Sequence, residues 1–545
     1  MYAKGMDRIT ELPTFIIHHI MSYLSAKEIA RTSILSKRWC LFCISFPILE
    51  FDQCYFLGKA ITLMDISDEK KFMAFVDASL FRFCKLRFRM QELRLFQSFL
   101  DVKGSAPLLD KWIGLAVDNG IKDLVLMVHN MTQEDTVCIL PQTIFSAKSM
   151  ATLSLFGCRM EQPSDTTTIS LDSLKKLTIE NVYINDQMFQ KLTSECPSLE
   201  DFEISACWGL KNLCVSKAHK LKKLAIYTFY EDIDIVEIVV PSLQQLTLLF
   251  CNGEMRPRVV KAVRSPHLTK LMLTSVWFMD EEFDRFISKF PLLEDLLLRF
   301  CRLPEMVKIA SNQLKNLHFN SCENLKAIDT DTPNLLSFTF SYDFNPIPTI
   351  AMNALCPWKL CFSCEGNLDM HWYLRLKKFL GVEKQIENLK LSLETCEVSF
   401  NLDELSGCSP SLPLQVGTLE LYANVPLSDY EALLDGVFQI CYPRTLRVST
   451  MFEEDKKLIE WLYEQLRNRD VTCCNPHHIK YCWRHHLEDI KIQRYLQIEE
   501  SFVVIEDNKT FADSKYMMDG RYPLTREVSE FNLDWSVPVS NDEQC

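Results

Sequence analysis

A short apolar pattern recurs through the middle of the chain and limits its fold more than any other feature. The pattern is apolar-x-x-apolar-x-apolar, and its copies begin 21 to 29 residues apart, at Ile121, Met150, Leu174, Leu199, Leu221, Leu243, Leu268, Leu293, Leu314 and Leu335. Each copy has the alternation of a short strand with one buried side. A single unit cannot bury that side, so successive units must stack and share a core. The spacing predicts an α/β solenoid with parallel strands on its concave face.

Cysteines mark the turn after many of these strands. Five of the ten units carry one eight positions after their start, at Cys158, Cys207, Cys251, Cys301 and Cys322. A small polarizable side chain fits beneath the stacked backbone there, which explains part of the cysteine content without disulfides. The period is typical of leucine-rich repeats. Weaker units begin at Ile386 and Val416, and we expect the array to be interrupted or loosened across 341–385.

Composition excludes several function classes. The chain has 545 residues, 48% of them hydrophobic, and its net charge is −13, which argues against a nucleic-acid-binding protein or a protein of anionic membrane surfaces. The common phosphate-binding, zinc-protease and nucleophile-elbow strings do not occur in the sequence. We therefore expect no enzyme and no cofactor. No apolar run reaches the length of a membrane-spanning helix, and the dispersed cysteines indicate the reducing cytoplasm or nucleus.

The first fifty residues predict three short helices. Pro13 can start the first helix. The apolar residues of that helix cover an arc too wide for so small a unit to bury, so part of it should face a partner; they are Phe15, Ile16, Ile17, Ile20, Met21 and Leu24. Ser25 and Glu28 form a capping box for a second helix. Its inner face is predicted to hold Ile29, Ala30, Ser33 and Ile34, and a third helix follows from Ser36 to Phe46.

This segment resembles a plant F-box. The resemblance rests on Asp7-Arg8-Ile9, Leu12-Pro13, Leu24-Ser25 and Ser36-Lys37-Arg38-Trp39, within about forty residues. It implies docking on the Skp adaptor of a cullin–RING ubiquitin ligase. The residues that the resemblance assigns to the adaptor interface or its support are Leu12, Pro13, Ile16, Ile20, Leu24 and Trp39.

The residues between the framework positions of each strand should face outward and offer a surface for a target protein. They have mixed charge with exposed aromatic residues, which suits a protein partner better than a phosphate backbone. In two adjacent units this places Asp201 and Glu203 beside Lys223 and Tyr227. We predict a target contact there; the alternative is that these charges only pair with one another.

The C-terminal region contains a predicted amphipathic helix over 451–470 and a dense group of cysteines and histidines, Cys473, Cys474, His477, His478, Cys482, His485 and His486. Adjacent ligands in a strand point to opposite faces, so we expect no metal there. The block from Cys482 to Ile492 resembles the FBD-like segment of plant F-box/leucine-rich-repeat proteins, which implies a structural role. The acidic tail from 501 is expected to be partly disordered.

These features predict five regions. They are an F-box at 1–50, a linker or N-terminal cap at 51–120, the solenoid at 121–450, an FBD-like cap at 451–500 and the tail at 501–545. The predicted function is that of a substrate receptor, which docks on the Skp adaptor and through it on the cullin and RING subunits, and which holds an unknown target protein. Two alternatives remain: a sensor of a small hormone-like molecule on the same architecture, and an interaction scaffold that works outside the ligase.

Overall fold

The computed structural model describes most of the chain. The described residues are 9, 11–60, 63, 65–99, 102–130, 138–162, 169–228, 233, 235–250, 259–279, 282–343, 347–353, 358–382, 386–400, 413–450, 453–468, 482–498, 501–504 and 525–536. They fall into two compact units, Met1–Leu268 and Thr269–Cys545. No helix among these residues has both the length and the apolar content that crossing a membrane requires.

Three short helices open the first unit, as predicted. They are α1 (Thr14–Met21), α2 (Ala26–Thr32) and α3 (Lys37–Ser45). Pro13 precedes α1, and the Ser25–Glu28 capping box is present, because each of these residues bonds the other's backbone N–H. The helices share a small core of Ile17, Met21, Trp39, Phe42 and Phe46.

A parallel sheet follows directly and provides the framework of the unit. Its strands, in spatial order, are β1 (Ile48–Asp52), β2 (Glu92–Phe99), β3 (Asp123–Asn130), β5 (Thr152–Phe156), β7 (Lys176–Glu180), β8 (Asp201–Ser205), β10 (Lys223–Thr228) and β12 (Gln245–Phe250). The sheet therefore begins at Ile48, at the end of the predicted F-box, and continues through the segment that the sequence predicts as a linker or N-terminal cap.

Helices and short strands connect these strands on the buried side. The helices are α4 (Gln53–Leu57), α5 (Ile66–Lys85), α6 (Val102–Asp118) and α7 (Asp186–Glu195). The strands β9 (Asn212–Val215), β11 (Ile235–Ile238) and β13 (Val259–Val263) form a second parallel sheet, and β4 (Cys138–Ile139) pairs with β6 (Cys158–Arg159). Phe189 of α7 stacks on Phe202 of β8, so α7 lies against the buried face of the main sheet.

The turn after each repeat strand explains the cysteine pattern. A residue with a left-handed backbone ends several strands, and a buried cysteine follows it, as in Gly157-Cys158, Ala206-Cys207 and Phe300-Cys301. The Cys207 thiol donates to the carbonyl of Ile179 in the preceding repeat at 3.5 Å. The predicted structural role of these cysteines is therefore confirmed where the residues are described; Cys251 lies outside them.

The second unit has the same architecture. Its parallel strands, in spatial order, are β14 (Lys270–Thr274), β15 (Asp295–Arg299), β17 (Asn316–Asn320), β19 (Ser337–Asp343), β21 (Trp358–Asp369), β22 (Ile386–Ser399), β23 (Leu414–Asn424) and β24 (Cys441–Thr450). The strands β16 (Met306–Ala310), β18 (Ala327–Asp331) and β20 (Thr349–Met352) form a second sheet. The helices are α8 (Glu282–Ile287), α9 (Met370–Val382), α10 (Tyr430–Ile440) and α11 (Glu453–Arg467).

The expected interruption at 341–385 is wrong. Strand β21 pairs in parallel with β19 on one side and with β22 on the other, so the repeat architecture continues across the segment. The repeat is longer because α9 forms its connecting helix. The greater length of this repeat, not a loss of repeat structure, hid the apolar pattern in the sequence.

The chain closes with antiparallel strands. Strand β27 (Thr525–Trp535) lies between β24 and β25 (Leu487–Ile498), and β26 (Ser501–Val504) pairs with β25. The predicted amphipathic helix is confirmed as α11, which buries Leu458, Leu462 and Leu466. Part of the region expected to be a disordered tail therefore forms a strand within the sheet.

A buried lysine on α9 gives a stability prediction. Lys377 is 7% exposed, and its Nζ has no hydrogen-bond partner among the described residues. Burial lowers the pKa of Lys377 from 10.5 to about 8, so at neutral pH the folded chain holds an uncompensated charge.

We therefore expect Lys377→Met to raise the free energy of unfolding at pH 7 by on the order of 1–3 kcal/mol. The pKa of Lys377 is lower in the folded than in the unfolded chain, so the unfolded chain binds more protons between about pH 8 and 10.5. The wild type should gain stability across that window and approach the variant. Urea unfolding at several pH values checks this, with the exposed neighbour Lys378→Met as control. A Met variant no more stable than the wild type at pH 7 would contradict the prediction.

Candidate adaptor and target surfaces

The three N-terminal helices and the turns between them expose several large apolar side chains. Ile34 is 84% exposed and Leu35 is 65% exposed, and both lie in the turn between α2 and α3. Phe15, Tyr23 and Leu41 are also more than half exposed. We call these five residues the F-box apolar surface. Ile34 and Leu35 are neighbours in the chain, and exposed apolar patches usually mark a site of association with another protein.

The residues that the family resemblance assigns to the adaptor divide into three groups. Pro13 and Ile20 are exposed, and Leu12, Ile16 and Leu24 are half-buried. Trp39 is only 9% exposed and packs in the core, so it supports the helices and is not an open contact residue. Leu12 also packs against this core.

Two expectations for the second helix are wrong. The sequence predicts Ala30 and Ile34 on its inner face, but Ala30 is exposed on α2, and Ile34 points outward in the turn that follows Thr32. A turn releases the helical periodicity, so the apolar spacing no longer decides which way the side chain points. The wide apolar arc of α1 was the one sequence signal for an exposed surface, and Phe15 and Ile20 bear it out.

His18 fixes α1 against α3. Its Nε2 lies 3.2 Å from the carbonyl oxygen of Phe42 and 3.2 Å from Oγ of Ser45. Burial lowers the pKa of His18, which favours the neutral ring at pH 7. This contact joins α1, which carries Phe15, to α3, which carries Leu41.

The predicted target residues lie on neighbouring strands of the first unit, on the face that alternates with the buried leucines. We call it the open face. Lys223 stands in register with Asp201, and Tyr227 stands in register with Ser205. Glu203 stands opposite Ala225, so the in-register charge partner of Lys223 is Asp201. Burial, together with the charge of Glu203, raises the pKa of Tyr227, so its hydroxyl remains a hydrogen-bond donor at neutral pH.

The C-terminal block is a packed polar network. The Asp435 carboxylate on α10 accepts from Nε1 of Trp483 at 2.7 Å and from Nη1 of Arg484 at 2.9 Å. Arg484 also donates to Glu431 at 2.9 Å. All but Glu431 are buried, so the start of the FBD-like block is tied into the solenoid.

The cysteine and histidine group is only partly described. Cys473, Cys474, His477 and His478 lie outside the described residues, whereas Cys482 is buried beside Arg484. Within the part of the chain that the structure describes, no three His, Cys, Asp or Glu side chains are placed to hold a metal ion. The expectation that the group binds no metal stays a prediction.

Comparison with known sequences places these regions. The F-box domain family matches residues 9–51. The LRR repeats of the FBD-associated F-box protein At5g56370 match residues 109–250, and the LRR domain of At1g61320/AtMIF1 matches residues 241–400.

Individual relatives come from Arabidopsis thaliana. F-box protein At3g59000 is 30% identical over 492 residues, which cover 86% of this chain and 93% of the relative. The F-box/FBD/LRR-repeat protein At2g26030 is 29% identical over 228 residues, 41% of this chain and 47% of the relative. The putative F-box/LRR-repeat protein At3g59160 is 30% identical over 253 residues, 41% of this chain and 51% of the relative. With three helices at residues 14–45, parallel repeat strands behind them and a relative matched over nearly its whole length, the chain belongs to the plant F-box/leucine-rich-repeat family.

Proposed function

We propose that the chain is the substrate receptor of a Skp–cullin–F-box ubiquitin ligase and docks on the Skp adaptor through the F-box apolar surface. The observation that carries this is the exposure of Ile34 and Leu35 in the turn between α2 and α3, on a unit whose helices share a small core and a His18 contact. Burying these side chains against a partner would remove apolar area from water, the main favourable term in association. The adaptor would connect the chain to the cullin and RING subunits in the cytoplasm or nucleus.

The target protein would bind the open face of the repeat sheet, including Asp201, Glu203, Lys223 and Tyr227. Tyr227 supplies an aromatic ring, which protein interfaces favour, and the charges of both signs beside it would select a partner of complementary charge. The chain itself would contribute proximity, because holding a target near the ubiquitin-carrying subunit raises the local concentration of its lysines.

The experiment compares proteins captured in plant cells with the proteasome blocked. We expect targets to accumulate on the wild-type chain and to carry ubiquitin. The same targets should bind Ile34→Asp/Leu35→Asp without ubiquitin, because that variant keeps the repeat surface and loses the adaptor. Equal ubiquitylation of the targets on both chains would contradict a receptor role. Bound adaptor with no ubiquitylated partner on either chain would favour the scaffold alternative.

A further inference from the structure

An apolar row crosses the open face of the first unit near its N-terminal edge. Phe96 of β2 stands in register with Met127 of β3, and Met127 stands in register with Phe156 of β5. All three side chains are half-buried, although they belong to the face that alternates with the buried leucines. The His129 ring lies 5.1 Å from the Phe156 ring and extends the row toward the strand ends.

Carboxylates border this row on its C-terminal side. Phe156 stands in register with Glu180 of β7, which is exposed. Glu203 lies one strand farther on, in register with Thr178. Arg94, two residues before Phe96 on β2, forms ion pairs with Glu92 at 2.5 Å and with Glu50 at 3.4 Å. The charge of Arg94 is therefore compensated, whereas Glu180 and Glu203 have no ion-pair partner among the described residues.

We propose that the row of Phe96, Met127 and Phe156, together with Glu180 and Glu203, docks a segment of the target that combines an apolar side chain with a lysine or arginine. An apolar residue would cover the row, and the cation would reach the two carboxylates. The apolar row and the two carboxylates together favour a peptide that is both apolar and basic. An acidic segment would be repelled by Glu180. That the bound protein is a target rests on the proposed function. The apolar and basic character of the peptide is inferred from the side chains of the sheet alone.

The test uses the full-length chain without adaptor, so that it does not depend on F-box docking. A phage-displayed library of random twelve-residue peptides is selected on three immobilised chains. They are the wild type, Glu180→Lys/Glu203→Lys, and the control Glu195→Lys/Glu237→Lys. The control makes the same charge change on α7 and β11, away from the open face.

We expect the wild type and the control to enrich peptides with an apolar residue near a lysine or arginine. The Glu180→Lys/Glu203→Lys chain should enrich peptides with an acidic residue in place of the basic one. A synthetic peptide from the wild-type selection should bind Met127→Glu at least tenfold more weakly, as measured by fluorescence polarisation with circular dichroism to confirm folding.

Three results of the peptide selection would overturn the proposal. They are enrichment without a charge preference, a preference that the Glu180→Lys/Glu203→Lys change leaves intact, and failure to enrich any peptide. A wild-type chain that is dimeric and becomes monomeric on Met127→Glu would assign the face to a second copy of the chain and overturn it as well. Loss of adaptor binding in a separate assay would count against the proposed function and leave this result unchanged.

Discussion

Replacing Ile34 and Leu35 by Asp is expected to abolish capture of the Skp adaptor and to leave the chain folded. Truncating a buried interface anchor typically costs about 2 kcal/mol or more, so losing two anchors and burying two carboxylates should weaken binding by well over a hundredfold. Both side chains are largely exposed in the isolated chain, so the fold loses little by the change. Biolayer interferometry with purified adaptor measures the loss.

The matched control for this variant is Met279→Asp/Leu427→Asp. These two residues are also large, apolar and more than half exposed, but they belong to the second unit. The control should bind the adaptor as the wild type does. If the Ile34→Asp/Leu35→Asp chain binds the adaptor as tightly as the wild type does, the F-box apolar surface is not part of the interface.

Asp435→Ala is expected to destabilise the chain by about 3–5 kcal/mol, because it leaves the buried Arg484 guanidinium without its main charge partner. Arg484 is 6% exposed, and without Asp435 its remaining carboxylate partner is the exposed Glu431. The loss should appear in urea unfolding of the full-length chain. Glu431→Ala should cost far less, since water can replace the exposed carboxylate.

A second substitution separates the charge effect from simple loss of packing. In the Asp435→Ala background, Arg484→Met removes the unpaired charge and should recover most of the stability. If the double variant is as unstable as Asp435→Ala alone, the buried pair is not the cause of the loss.

The repeat period predicts most of the solenoid, and its failures have identifiable physical causes. Met90-x-x-Leu93-x-Leu95 has the same pattern as the later units and forms β2. The 20-residue helix α5 lengthens the preceding connection, which hides this unit from a search for a regular spacing. The sheet thus includes strands that the predicted boundary at residue 121 excludes.

In the tail, the composition and the local apolar pattern predict different structures. Its acidic composition indicates disorder, yet Phe531, Leu533 and Trp535 alternate as in a strand with one buried face. Phe531 and Leu533 are buried in β27, which pairs with β24 far back in the chain. The segment forms a strand by pairing with β24, and a single sequence does not show which distant strand will be its partner.

The sequence predicts some residues of the adaptor and target surfaces and misses others. The motif residues located the F-box, but the outward position of Ile34 depends on where α2 ends. The neighbours of Asp201 follow from strand spacing, so that part of the open face was visible in advance. The row at Phe96, Met127 and Phe156 was not, because it depends on β2 joining the sheet.

Entry of the chain into a ligase through its F-box is tested most directly by co-purification with the adaptor. The wild-type chain and the Skp adaptor, mixed at micromolar concentrations, are separated by size-exclusion chromatography with light-scattering detection. We predict a single species with the mass of one chain and one adaptor. Two separate peaks with the masses of the free proteins would contradict the claim.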